Sequence, residues 1–138
     1  MIAFDADVYA LLLAGEPSVV QRAESLSDTE HWITIVVAEE VLRGRLSAIR
    51  RADASSGKRS VQRAYEFLAL SLAQLQQLKI LPYNQAAEML FADWRRQKLR
   101  LGTRDLRIAA ICAAHGAKLI SRNRRDFDQV PGLVVEYW

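Results

Sequence analysis

The chain has 138 residues, 51% hydrophobic and 25% charged, a balance that excludes a disordered chain and predicts one globular domain with a proper core. The formal net charge is only +3, and no stretch approaches the roughly 18 apolar residues of a membrane span. A single cysteine, Cys112, leaves no internal disulfide, so a reducing cytosol is the expected compartment, and Asp5 interrupts the opening apolar run, so no secretory leader is expected.

"IAF" reads as a short buried strand that ends on Asp5, and "DVYALLLAG" as a helix closing at Gly15. "PSVVQRAESLS" opens a second helix on proline. "WITIVV" is rich in β-branched residues and predicts a strand. "AEEVLRGRLSAIRRA" carries Val41, Leu42, Leu46 and Ile49 at helical spacing. "DASSGKRS" is the one flexible loop, before the amphipathic helix "VQRAYEFLALSLAQLQQL". "KILPY" is a strand stopped by Pro82, and Asn84 caps the helix that follows. "LGTRDLRIAAICAAHG" is a loop and then a helix closed by Gly116. "AKLISRN" and "GLVVEYW" are the last strands. Short strands alternating with helices predict a parallel α/β sheet in a single domain over 1–138, without repeats.

Open parallel sheets build their sites beyond the carboxyl ends of the strands. The first strand delivers Asp5 there, with Asp7 just after it; the helix after "WITIVV" brings Glu39 and Glu40; the loop-to-helix turn brings Asp105; the strand "KLISRN" brings Asn123, with Asp126 a turn further on. Carboxylates gathered in this way repel one another unless a cation neutralises them. His31 and His115 lack zinc-type spacing and Cys112 is alone, so the donors are hard oxygens that suit Mg²⁺ or Mn²⁺. Such an ion acidifies a water and steadies the charge of a phosphodiester. Basic residues complement the acidic centre: Arg43 to Arg63 contain one run, Arg95 to Arg107 a second, and Arg122, Arg124 and Arg125 a third. Acidic centre and basic periphery together suit a metal-dependent nuclease.

These blocks resemble the PIN-domain family, and within it the VapC-type toxin ribonucleases of toxin–antitoxin pairs. "FDADVYALL" is similar to the family's opening strand and acidic turn. "ITIVVAEEVLRG" is similar to its second block, where a glutamate four residues before glycine selects Glu40, with Gly44, over Glu39. "GTRDLRIAAICAAHGAKLISRNRRDF" is similar to the third and fourth blocks, giving Asp105 and then Asn123 or Asp126. Asp7 stands where asparagine or serine is commoner, and Asn123 where many members carry an aspartate. The resemblance implies a three-layer α/β/α domain with a short parallel sheet. It implies cleavage of single-stranded or loop RNA with Mg²⁺ or Mn²⁺ held by Asp5, Glu40, Asp105 and Asn123 or Asp126. It also implies a homodimer, a VapB-type antitoxin in the groove, and operator DNA bound through the antitoxin complex.

Each residue has a structural reading beside the functional one. Asp5 can cap a helix, Glu39 and Glu40 can be first-turn acids, Thr103 can cap the helix of Asp105, and Asn123 with Asp126 has the spacing of a capping box. Of the last pair, Asn123 directly follows the strand and is expected nearer the cluster, with Asp126 serving the "DFDQ" turn. Thr103 and Arg104 are placed to orient a phosphate; Tyr83 and Trp94 can stack on bases or fill the core. The alternatives are a non-catalytic RNA-binding or protein-interaction domain of the same family, and a flap-type DNA nuclease, for which the chain is short.

Overall fold

Five strands of three or four residues form one parallel sheet in the order β3-β2-β1-β4-β5. The computed structural model describes all residues, Met1–Trp138. In chain order the elements are β1 (Ile2–Phe4), α1 (Ala6–Leu13), α2 (Pro17–Ser25), β2 (His31–Thr34), α3 (Ile35–Asp53), α4 (Val61–Gln76), β3 (Lys79–Leu81), α5 (Gln85–Arg96), α6 (Thr103–His115), β4 (Lys118–Ser121), α7 (Arg124–Phe127) and β5 (Val135–Tyr137). They fall into two compact units, one of Met1–Val37 with Lys79–Trp138, the other Ala38–Leu78.

The first unit holds the whole sheet. β1 lies at its centre, with Ala3 level with Trp32 of β2 on one side and Leu119 of β4 on the other. The chain leaves β1 toward β2 and returns on the far side as β4, so the winding reverses between β1 and β4. Right-handed crossovers therefore put α1 and α2 on one face and α5, α6 and α7 on the other. Covered on both faces, the central strands read as continuous apolar runs: Ile2, Ala3, Phe4, Leu119 and Ile120 are all buried. α6 is the main packing helix of its face, touching β2, β3 and β4. Leu106 and Ile108 through Cys112 are buried along it, and Ala109 and Ala110 let it approach closely. α5 lies along α6, burying Ala87 and Trp94, two turns apart on one side.

The second unit consists of α4 and most of α3. Ile49, Ala52 and Ala64 form its core with Leu68 against them. Arg45 spans the two helices, donating from Nε to Ser71 Oγ at 2.8 Å.

Three boundaries differ from the sequence reading. β2 stops at Thr34, and Ile35, Val36 and Val37 open α3 instead of extending the strand. Thr34 Oγ1 accepts the Val37 N–H at 3.2 Å, so a cap bond starts the helix and overrides the strand preference of the β-branched run. α6 is flanked by Gly102 as its extended N-cap, with Thr103 already helical. β4 ends at Ser121, two residues before Asn123.

Candidate functional site

The carboxyl ends of β1 and β4 meet at the point where the winding reverses, the place where open α/β sheets bind ligands. Asp5 is the residue after β1, buried, with its backbone N–H donating to Ile120 O at 3.0 Å. Its Oδ1 accepts the Val8 N–H at 3.0 Å and so caps α1. Its Oδ2 accepts the hydroxyl of Ser121, the last residue of β4. Asp5 is thus both a cap and a fixed carboxylate.

The same hydroxyl continues the network. Ser121 Oγ accepts the Asn123 N–H at 3.0 Å. The Asn123 amide then clamps Asp126 twice: Oδ1 accepts the Asp126 N–H at 3.3 Å, and Nδ2 donates to Asp126 Oδ2 at 2.8 Å. Both ends of the Asn123 side chain are committed to the turn that opens α7. Asp126 contributes the charge that reaches the cluster, because its carboxylate acts on Asp105.

Asp105 lies half-buried in the first turn of α6. Its carboxyl is pushed above the usual range, first by burial, then by the negative charges of Asp126, Asp5 and Asp7, with Arg104 pulling the other way. Asp5 is also raised, chiefly by burial, with the charge of Asp7 adding to it and the bonds from Ser121 and Val8 opposing. Asp7 is exposed on α1. The charges of Asp126, Asp5 and Asp7 are thus felt at Asp105, although no three of these side chains stand together as a metal-holding group. On α3, Glu39 is exposed and ion-paired with Arg43, whereas Glu40 is half-buried.

No group of three or more acidic, histidine or cysteine side chains is arranged here to hold a metal ion; what is on offer near Asp5 is oxygen donors, the kind a hard divalent cation takes. These are oxygen donors whose mutual repulsion a cation offsets. The thiol of Cys112 is buried, and its pKa is pushed up to about 12 by burial and by the Asp5 charge, so it is no competing soft ligand. The imidazoles lie elsewhere: His31 opens β2 and its Nε2 meets Leu26 O, while His115 ends α6 with its Nε2 at Pro82 O.

Sequence reasoning missed Ser121, which holds Asp5 and Asn123 in register, and Thr34. The signal for Ser121 was its place as the last residue of an apolar strand. Trp94 is 4% exposed and belongs to the core. Tyr83 packs edge-on against Phe91 at 6.5 Å.

The family model described as "PIN domain" matches residues 2–133. No curated protein matches significantly. Among solved structures, VapBC2 from Rickettsia felis bound to a promoter DNA fragment contains a similar chain, 21% identical, with TM-score 0.75, covering 100% of this chain and 99% of that one. DNA-bound VapBC from Salmonella typhimurium does so at 19% identity, TM-score 0.74, with 100% and 99% covered. VapBC-1 from nontypeable Haemophilus influenzae does so at 19% identity, TM-score 0.73, with 100% and 98% covered.

Proposed function

The chain belongs to the PIN-domain family, and on that premise we propose that it is a VapC-type toxin: an endoribonuclease that depends on Mg²⁺ or Mn²⁺ and acts in the cytoplasm. The observation that supports this reading is the acidic environment beyond the β1 end, where burial raises Asp5 and Asp105 and the charges of Asp126, Asp5 and Asp7 raise Asp105 further. In this reading Asp5, Asp105 and Asp126 are the carboxylates for the ion, and the family resemblance adds Glu40, four residues before Gly44. Asn123 positions Asp126 through both ends of its amide. A divalent ion, when bound, supplies an acidified water and charge compensation for a phosphodiester.

The chain's own groups do the rest. Ser121 fixes the Asp5 carboxylate by donating to one oxygen, and the Val8 N–H holds the other. Arg104, whose charge acts on Asp105, and Thr103 beside it orient a phosphate at the start of α6. The similar chains come from VapBC complexes, two of them with DNA. That supports a VapB-type antitoxin as partner and operator DNA engaged through the antitoxin complex; a homodimer is what the family resemblance adds.

The test is cleavage of RNA by the purified protein with Mn²⁺. Cleavage that stops with excess chelator, and in Asp5→Asn and Asp105→Asn variants that remain folded, is the expected result. Undiminished cleavage in chelator overturns the metal reading. Relief of growth inhibition by coexpressing a short reading frame from the adjacent gene checks the antitoxin.

A further inference from the structure

Beside the first turn of α6, four side chains meet on the seam between α5 and α6. Phe91 and Arg95 are one turn apart on α5; Thr103 and Arg107 are one turn apart on α6. Arg95 lies over the Phe91 ring at 5.6 Å and donates from Nη1 to Thr103 Oγ1 at 3.4 Å. Arg107 lies over the same ring at 5.2 Å. Tyr83 meets the ring edge-on, and its hydroxyl lies near both Glu88 and Arg107. Both arginines are exposed and Phe91 is partly exposed. Other bases are spent locally: Arg43 pairs with Glu39, Arg96 with Asp93, and Arg124 stacks on Tyr137 at 4.3 Å. No ion pair engages Arg95 or Arg107.

We propose that this seam is the track along which single-stranded RNA leaves the carboxylate rim, with Arg95 and Arg107 binding successive phosphates. The inference rests on the RNA substrate proposed above. Phe91 is the positioning residue. Its ring holds both guanidinium groups, so less side-chain freedom is lost when phosphates arrive. Thr103 joins the track to the rim, two residues before Asp105 in the same turn. Two like charges held on one ring call for a polyanion, and a strand with a phosphate at every nucleotide supplies one.

The test uses Asp5→Asn protein, so that RNA is bound and not cut, titrated into a short fluorescein-labelled single-stranded RNA at several salt concentrations. The Arg95→Gln/Arg107→Gln variant is expected to raise Kd at least about fivefold and to reduce the salt slope by about 1.4, two single-strand phosphate contacts. Phe91→Leu keeps both charges, so Kd should rise with the slope unchanged. Arg96→Gln should alter neither, because that arginine already pairs with Asp93. Circular dichroism checks that each variant is folded. An unchanged Kd and slope in the double variant overturns the track, as does an equal loss in Arg96→Gln, which would mean diffuse charge. Unchanged RNA binding with loss of a copurifying antitoxin assigns the seam to a protein partner and also overturns it. Absence of cleavage by the unmodified protein with Mn²⁺ defeats the nuclease reading separately, since binding is read without turnover.

Discussion

Glu30 precedes β2 and Glu136 lies on the outer strand β5; both carboxyls are held below the usual range. Lys79 does this for Glu30, and the Trp138 indole N–H followed by Lys118 does it for Glu136. Both lysines open strands; Glu30 lies before β2, and Glu136 lies mid-strand in β5, level with Ile120 of β4. At the carboxyl ends, Asp5 is pushed the other way by burial and the Asp7 charge, and Asp105 by burial and the charges of Asp126, Asp5 and Asp7. The first two carboxylates meet lysines in water. The other two are withdrawn from water and crowded at that edge. The fold thus accepts an electrostatic cost at the carboxyl ends, the cost that the proposed divalent cation would offset.

The largest expected break in that contrast comes from the crowded edge. Asp5→Asn and Asp105→Asn should each lower RNA cleavage by ~100-fold or more. Each should also hold or raise the melting temperature without metal, because a repelling charge is removed; a folded variant with full activity contradicts the assignment. Ser121→Ala should cost about 1–3 kcal/mol in denaturant titration, since Asp5 Oδ2 loses a buried donor. Asn123→Ala should cost about 1 kcal/mol through the lost cap of α7 and, by freeing Asp126, lower turnover as well. Loss of stability with full turnover would make Asn123 a cap only.

The pH dependence carries the same contrast with opposite signs. Carboxyls raised in the folded state take up protons there before the unfolded chain does. Metal-free stability should therefore rise as pH falls from neutral through the raised values of Asp5 and Asp105 toward 3.8, and that rise should shrink in Asp105→Asn. Glu30 has the reverse sign: whatever its pair with Lys79 contributes is lost as pH falls through its lowered value. That pair is exposed, so Glu30→Gln should leave the melting temperature unchanged at neutral pH and the acid-side rise intact.

Much of this fold was legible locally. Asn84 caps α5 by accepting the Ala87 N–H, and Gly116 closes α6 at φ 64°, a left-handed value that suits glycine. Each depends on residues within a turn. Asp5 was legible because a strand, an acid and a helix follow in immediate succession. Ser121 was less legible, because its bond to Asp5 joins residues 116 apart in sequence and only its place at the end of an apolar strand marks it. Thr34 was masked by the β-branched run beside it, where one cap bond decides between strand and helix. The division of labour between Asn123 and Asp126 was hidden for a related reason. Their spacing is that of a capping box and also that of a ligand pair; the structure shows the capping bonds between their side chains, and the roles rest on the proposal.

The most direct measurement is paramagnetic line broadening by substoichiometric Mn²⁺ in amide-resolved NMR of the whole chain. If the carboxyl-end cluster is the cation site, the signals of Asp5, Ala6, Asp105, Leu106 and Asp126 vanish first, while Glu30 and Glu136 stay sharp. The Asp105→Asn variant should then need more Mn²⁺ for the same loss. Broadening that begins at Glu30 and Glu136, or that spreads evenly over the acidic surface, would contradict the account.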